Sequence, residues 1–399
     1  RMSDTDDNVL DEKRVEKIEW LHQSFVTEWP ELEELISSLN PQSSESVFIR
    51  SQLILEKYQE QATLLDNHIR SIIHVITEKI IGSTNIPLFI TFLEEPVNEE
   101  KEAVLFIQKC FSLLYILCRV RGYKAILKYF PHEVARLEEL ELLIRLFGAA
   151  SILQLNQENA QANELSTDSS FSTVTSTSAT GKISTFACNS TFSTEPWHVE
   201  YVGSLWLSVA ILAPFHLNVI DSSLGGDAIG MRIVEWCRTG IVYRFRESSP
   251  TLLSTSLLLS KLLARPDMKT ELGSFVQWGL EFLERPTNNL FIVEETANDN
   301  SVAASQKTNV IISLSAILKE GNRKELLKYS QDLLRLIELS ADLAQKGGTV
   351  QRKSIMKLCG RIGTTFLAPR MQQSWHYHRA TNSLLHNLNS HGNDSKASK

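Results

Sequence analysis

The fold of this 399-residue chain is decided by Lys101–Arg121, which reads KEAVLFIQKCFSLLYILCRVR. On a helical wheel this stretch is apolar nearly all the way round, instead of along one stripe. In a soluble protein such a helix must be flanked by other elements on several sides. Gly122 follows it and ends it, because glycine accepts backbone conformations that are closed to other residues. The stretch therefore predicts a helix at the centre of a larger helical assembly.

Working outward from this helix, apolar residues recur at three- and four-residue spacing in both directions. The first segment contains Pro30 and is interpreted as two helices or one kinked helix. Farther on, Pro266 is expected to stop one helix, and Asp267 to cap the next through its first free amides. The predicted helices cover residues 15–39, 47–61, 64–81, 86–93, 101–121, 123–130, 133–150, 197–213, 227–246, 251–264, 269–284, 302–319, 323–339, 349–367 and 372–388.

The composition agrees with an all-helical protein. The chain has 17 glycines and 11 prolines, a smaller share than the roughly 12% of an average protein. Sheets closed by many Gly/Pro-rich turns are therefore disfavoured. Helices that follow one another across short turns, each with a broad apolar face, are typical of HEAT or armadillo arrays, which use about 40–47 residues per repeat. The sequence predicts an all-α HEAT/armadillo-type α-solenoid with one long disordered Ser/Thr-rich loop.

That loop is predicted at residues 154–195, where Ser, Thr, Asn and Gln dominate. Such a segment cannot bury enough apolar surface to offset the entropy of ordering it. It is either a passive insertion or a segment whose hydroxyls serve kinases. The predicted organisation is N-terminal helices over 1–45, helical repeats over 46–153, the insertion over 154–195, helical repeats over 196–390 and a flexible tail over 391–399.

The charge of the chain disfavours a nucleic-acid partner. The net charge is −7, whereas nucleic-acid-binding domains are strongly basic. The charge is also uneven, since residues 319–399 hold 14 Lys and Arg against 6 Asp and Glu. This basic part either attracts an acidic partner through its field or reflects solvated helix faces that cluster by chance.

The cysteines and the apolar segments predict a soluble cytoplasmic protein with no membrane insertion. Five cysteines are an odd number, and no two of them are spaced as C-x-x-C, so neither a disulfide framework nor a zinc site is indicated. The acidic N-terminus does not resemble a signal peptide. The most apolar stretch, Cys110–Cys118, is shorter than the roughly 20 residues that span a bilayer.

No catalytic, metal or cofactor-binding motif is complete in the sequence. His132-Glu133 begins like H-E-x-x-H, but Arg136 stands where the second histidine belongs. Met231, after the glycines at 225, 226 and 230, stands where a phosphate-binding loop has lysine. His376 and His378 diverge by about 200° on a helix and so do not form one metal site. The sequence predicts no catalytic residue, no metal, no cofactor and a non-enzymatic protein.

Function is therefore expected to come from surfaces, and two basic and aromatic groups are candidates for binding a partner. The first surrounds the Gly122 turn and comprises Arg119, Arg121, Tyr123, Lys124 and Lys128, with Tyr129 among them. The second comprises Trp375, Tyr377 and Arg379. The alternative for both groups is that the rings pack in the core while the cations are only solvated. Charge reversal of Arg121 and Lys124 is predicted to weaken partner binding without unfolding the chain.

A series of segments resembles the tubulin-specific chaperone D (tubulin-folding cofactor D) family. The segments are Lys57-Tyr58-Gln59-Glu60-Gln61, Leu64-Leu65-Asp66, Val120-Arg121-Gly122-Tyr123-Lys124, Phe130-Pro131-His132-Glu133-Val134-Ala135, Leu205-Trp206-Leu207-Ser208-Val209, Pro214-Phe215, Arg265-Pro266-Asp267, and Thr365-Phe366-Leu367 with Pro369 and Trp375. Their order along the chain is the specific part of the resemblance. It covers the N-terminal region of longer family members, and Arg1 precedes Met2. The chain is thus expected to be a fragment, a partial reading frame or a shortened isoform.

The resemblance implies a scaffold that binds β-tubulin in the post-chaperonin assembly of the α/β-tubulin heterodimer. Its implied partners are β-tubulin, tubulin-folding cofactors C and E with α-tubulin, and an Arf-like small GTPase. GTPase activation is implied only as part of the cofactor complex. The implied location is the cytoplasm, with association with the cytoskeleton or the centrosome. Two alternatives stay open: a generic α-solenoid adaptor for transport or trafficking, and an enzyme whose site the motifs do not reveal.

Overall fold

The computed structural model describes residues 4–83, 98–148, 192, 194–222, 228–285 and 299–368. All regular elements within these residues are helical, in agreement with the predicted all-α class. The longer helices are α1 (Asp4–Ser38), α2 (Glu45–Lys57), α3 (Ile69–Ser83), α4 (Asn98–Arg121), α5 (137–148), α6 (Pro196–Ala210), α7 (Ile229–Thr239), α8 (Pro250–Leu263), α9 (Lys269–Glu284), α10 (Asp299–Glu320), α11 (Ser330–Lys346) and α12 (Thr349–Phe366).

Short helical segments make most of the turns between these helices. They are Tyr58–Leu65, Tyr123–Ile126, Leu127–Tyr129, Val134–Arg136, Leu217–Ile220, Gly240–Arg244, Pro266–Met268, Arg323–Leu326 and Leu327–Tyr329. The predicted helices at 86–93 and 372–388 lie outside the described residues, as does most of the 154–195 segment. Near the end of that segment, Phe192 is buried, and its ring centroid lies 5.4 Å from that of Phe48. Pro30 lies inside α1, which runs through it as one helix.

The helices form two rows, as expected for a HEAT/armadillo-type solenoid. In the first row, α2, α4, α6, α8, α10 and α12 each pack against the next. In the second row, α1, α3, α7, α9 and α11 each pack against the first-row helix that follows them. Helix α5 joins the second row, since a β-carbon on Gly203 of α6 would lie 2.9 Å from the Ile144 side chain. One apolar core extends through the array from Leu21 to Ile362.

The central helix predicted from Lys101–Arg121 is α4, and it is packed on several sides. It contacts α2, α3 and α6, and Phe111 and Leu114 are fully buried in it. Its apolar part is longer than the Cys110–Cys118 stretch considered above. Residues Glu102–Arg121 are, among the described residues, the one segment long and apolar enough to cross a membrane, with a mean hydropathy of 1.7. Because 61% of its apolar window is buried inside the protein, α4 has the environment of a core helix.

Small hydroxyl side chains occupy the contacts between successive first-row helices. Where two contacts join the same two neighbours, both partners advance along the chain, so these helices run parallel. Ser204–Thr255 is followed by Ser208–Lys261, and Ser315–Arg361 is followed by Arg323–Thr365. The pairs are Ser112–His198 at 2.9 Å, Ser204–Thr255 at 3.4 Å, Ser256–Ser313 at 2.9 Å and Ser315–Arg361 at 2.9 Å. Short side chains allow the helix axes to approach, and the hydrogen bonds satisfy hydroxyls that are buried.

An arginine orders the turn that follows α6. The Arg265 guanidinium donates to the carbonyls of Ile211, of Ala213 at 2.9 Å and of Phe215 at 2.6 Å. It also pairs with Asp267 at 2.9 Å. These carbonyls come after Ala210, the last residue of α6, so this single side chain satisfies carbonyls of the turn itself.

The expectation that Asp267 caps the next helix was wrong. Its carboxylate accepts a hydrogen bond from the Leu217 amide at 2.9 Å and two from Arg265, while α9 has no side-chain cap. Burial alone would raise the pKa of Asp267, but these hydrogen bonds hold it below its ordinary value. A charged guanidinium two residues away competes successfully with the neutral amides of a helix start.

A seven-residue pattern recurs at the ends of two long first-row helices. Residues 123–129 read YKAILKY and residues 323–329 read RKELLKY, and both form one α-helical turn followed by a short 3-10 turn. Both copies follow a glycine or a Gly-Asn pair. Lys124 and Lys324 occupy the same position in the two copies, and both are exposed. The sequence analysis did not identify this repeat.

Candidate partner-binding surface

The first group of predicted binding residues lies at one corner of the array, where α4 ends. Arg119 and Arg121 are in its last turn. Gly122 has a φ of 90°, which residues with a β-carbon rarely adopt, and it redirects the chain into Tyr123–Ile126. The glycine therefore brings Tyr123 and Lys124 to the same corner as the two arginines.

The two arginines are neutralised by carboxylates of this chain. Arg119 pairs with Glu56 of α2. Arg121 forms a two-pronged pair with Asp66, in which Nη2 lies 2.8 Å from Oδ2. The Arg121 hydrogen bond holds the pKa of Asp66 below its ordinary value. Both arginines thus connect α4 to the residues before it.

The remaining members of the group differ in their exposure. Tyr123 and Lys124 are exposed, whereas Tyr129 is half-buried against the core. The Lys128 ammonium lies 4.8 Å from the centre of the Tyr129 ring. Trp375, Tyr377 and Arg379, the second predicted group, lie outside the described residues.

The Arg121–Asp66 pair predicts a small and pH-dependent contribution to stability. In a double-mutant cycle with Arg121→Ala and Asp66→Ala, the coupling at pH 7 is expected to be about 0.5–1 kcal/mol, because both side chains are partly solvated. A lowered pKa in the folded state stabilises the protein above the unfolded value of about 3.9, and this is lost as pH falls through the folded value. Urea denaturation from pH 7 to pH 4.5 should give a constant coupling. A coupling that already disappears near pH 6 would contradict the assignment.

A groove that the sequence analysis missed lies between α8, α10 and α12. Its volume is about 450 Å³. Its lining comprises Tyr123, Ser248, Leu253, Ser256, Leu257, Ser260, Ile312, Ser315, Ala316, Lys319, Glu320, Val350, Lys353, Ser354, Lys357 and Arg361. Tyr123 belongs both to this groove and to the first predicted group. The sequence signal was the spacing of Lys353, Lys357 and Arg361, which places three cations on one face of a helix.

The described residues also include side chains that could take part in catalysis, but these side chains are buried. Ser112 and His198 form a hydrogen-bonded pair, and both are shielded from solvent. Burial, with a smaller effect of Arg119, lowers the pKa of His198 to about 4. Burial raises the pKa of the Cys118 thiol to about 12. Within the described part of the chain, no three His, Cys, Asp or Glu residues are placed to hold a metal ion.

Comparisons with known proteins agree with the repeat architecture. The family model described as "Tubulin-specific chaperone D-like, ARM repeat" matches residues 55–283, more than half of the chain. No solved structure matches the chain.

Two curated relatives have names of the same kind. Tubulin-specific chaperone D of Dictyostelium discoideum is 26% identical over 416 residues, which cover 91% of this chain and 27% of the relative. Tubulin-folding cofactor D of Schizosaccharomyces pombe is 26% identical over 276 residues, 68% of this chain and 19% of the relative. The chain therefore spans about a quarter or less of these relatives. On the family match over residues 55–283, the chain belongs to the tubulin-specific chaperone D-like ARM-repeat family.

Proposed function

We propose that this chain acts as a tubulin chaperone, binding β-tubulin and serving as a scaffold in the assembly of the α/β-tubulin heterodimer. The observation that carries the proposal is the family match over residues 55–283, together with two relatives named for tubulin folding. An array of parallel helices supports it, because such arrays offer long surfaces to other proteins.

The proposal includes a set of partners and a location. Besides β-tubulin, the partners are tubulin-folding cofactors C and E with α-tubulin, and an Arf-like small GTPase. The chain contributes to GTPase activation only within the cofactor complex, and it has no catalytic residue of its own. It acts in the cytoplasm in the organisation of the microtubule cytoskeleton, in association with the cytoskeleton or the centrosome.

The test is gel filtration of the purified chain mixed with native tubulin, with mass spectrometry of each peak. The expected result is a complex that contains β-tubulin and lacks α-tubulin. A monodisperse, folded chain that elutes alone would contradict β-tubulin binding by these 399 residues. Retention of the Arf-like GTPase, tested in a separate run, checks the second proposed partner.

Lys124 is the best single position for testing whether the corner at the end of α4 contacts β-tubulin. Arg121 is paired with Asp66, so reversing the charge of Arg121 would also disturb the fold. Lys124, in contrast, is exposed. Lys124→Glu is expected to weaken β-tubulin binding about tenfold and to leave the melting temperature unchanged, since rim charges at interfaces act on association. The matched control is Lys324→Glu, at the same position of the recurring seven-residue pattern. If both variants bound β-tubulin equally well, this corner would not be part of the interface.

A further inference from the structure

We infer that the groove between α8, α10 and α12 binds an acidic, extended peptide segment of another protein, with an apolar side chain of that peptide on the groove floor. This proposal goes beyond the proposed tubulin role and does not depend on it. The structure carries it through three features of the groove, which are its excess of positive charge, its apolar floor and its dimensions.

The first feature is positive charge on α12 that the described residues leave without an ion-pair partner. Lys353, Lys357 and Arg361 lie at successive turns on one face of α12. Within the part of the chain that the structure describes, neither Lys353 nor Lys357 has an ion-pair partner. Arg361 donates to the backbone carbonyl and the hydroxyl of Ser315 and to no carboxylate within that part.

The groove contains little negative charge to offset these cations. Among the described lining residues, Glu320 is the one acid. Its carboxylate pairs with Lys319 at 2.6 Å and also raises the pKa of Arg361 slightly against the effect of burial. Lys353 and Lys357, which are exposed, therefore remain available to carboxylates from outside. A cleft lined by charges of one sign concentrates partners of the opposite sign and speeds their association.

The second feature is an apolar floor beside the cations. Leu253 and Leu257 lie one turn apart on α8, and Ile312 and Ala316 lie one turn apart on α10. Leu253 is 55% exposed, which is high for a large aliphatic side chain in the middle of an array. Since removing such a side chain from water is favourable, an apolar residue of a partner would add affinity that charge alone does not supply.

The hydroxyls of the floor are largely occupied by the protein. Ser256 bonds Ser313, Ser260 bonds the Leu257 carbonyl and Ser354 bonds the Val350 carbonyl. The serine hydroxyls of the floor therefore need few hydrogen bonds from a ligand. An apolar side chain can rest on it without leaving these hydroxyls unpaired.

The third feature is size, which favours a peptide over a folded domain. Neighbouring helix axes lie about 8–10 Å apart, so the distance from α8 to α12 is about 20 Å. An extended chain covers about 3.3 Å per residue, so about six residues cross the groove. A volume of about 450 Å³ accommodates a few side chains.

The test is fluorescence anisotropy with the full chain and a fluorescein-labelled peptide of about eight residues, glutamate throughout except for a central leucine. The double variant Lys353→Glu with Lys357→Glu is expected to weaken binding at least about tenfold. The matched control is Arg70→Glu with Lys324→Glu, which changes the net charge equally at exposed positions that do not line the groove. The control is expected to change binding less than about twofold. Circular dichroism melting checks that both variants are folded.

A second pair of measurements tests the apolar floor. Replacing the peptide's leucine with serine, and Leu253 with serine, should each weaken binding, and the two losses should be less than additive because both remove one contact. Absent binding of the peptide, or equal losses in groove and control variants, would overturn the proposal. The proposal would also be overturned if replacing the leucine left peptide affinity unchanged, or if a short oligouridylate RNA bound as tightly as the peptide. Either result would indicate a surface that binds polyanions in general.

Discussion

Replacing Arg244 with methionine is expected to destabilise the folded chain by about 4 kcal/mol. Its guanidinium lies 3.3 Å from the Glu200 carboxylate, and the two side chains are only 4% and 2% exposed. The guanidinium also lies 4.9 Å from the Trp236 ring centre and 5.2 Å from that of Phe245. Methionine fills much of the space but leaves the Glu200 charge in the interior without this cation.

Urea denaturation followed by circular dichroism measures the loss. The double variant Arg244→Met with Glu200→Gln should recover part of the stability, because the buried charge is then removed together with its partner. Arg246→Met, two residues along and exposed, serves as the matched control and should change stability by less than about 0.5 kcal/mol. A loss below about 1 kcal/mol for Arg244→Met would show that the pair does not hold α6 to the segment after α7.

Trp206→Ala is expected to cost about 4 kcal/mol, as large-to-small changes at fully buried aromatic residues do. Trp206 is completely buried, stacks on Phe130 with a centroid distance of 5.8 Å and donates from Nε1 to the Pro131 carbonyl at 2.7 Å. This contact joins the residues before 149–191 to α6, which follows them. The variant therefore tests whether the two sides of that segment fold as one unit.

Two further variants separate the contributions at this position. Trp206→Phe keeps an aromatic ring but leaves the Pro131 carbonyl without its donor, so a smaller loss of about 1–3 kcal/mol is expected. The matched control is Trp20→Ala, because Trp20 is 54% exposed. A single cooperative transition that shifts in Trp206→Ala supports one folding unit. Two separate transitions in the wild-type chain would contradict it.

The helical elements were predictable because they depend on local patterns. The apolar run of Lys101–Arg121 identified α4, and Gly122, Pro250 and Pro266 lie at helix ends as their backbone chemistry requires. Pro30 left two helices or one kinked helix open, and α1 continues through it as one helix. Packing of the apolar face can outweigh one lost backbone hydrogen bond.

The pairing of charged residues was much harder to predict. Arg121 and Asp66 are 55 positions apart, and Arg119 and Glu56 are 63 positions apart. Spacing within one helix says nothing about such partners, so two arginines that looked like free binding residues prove to be paired within the chain. Asp267 was assigned to the wrong partner only partly for this reason. Leu217 is 50 positions away, but Arg265, which makes two of the three hydrogen bonds, is two positions away.

The groove was missed because three separate helices build it. Its cations on α12 could have been noticed from their spacing, but the apolar floor is contributed by α8 and α10. Only the parallel arrangement of the first-row helices brings these faces together. Surfaces of this kind follow from tertiary packing and not from any local motif.

The hydroxyl pairs between first-row helices bear on how the array deforms under load. A serine hydroxyl turns about one bond and can exchange acceptors, whereas a fork-shaped arginine pair holds one geometry. Three of the four contacts, Ser112–His198, Ser204–Thr255 and Ser256–Ser313, are of the exchangeable kind. Since the small rotation at each repeat sets the curvature of a solenoid, slight slips at these contacts add along its length. We expect the curvature of the array to be flexible and to adjust to the shape of a bound partner.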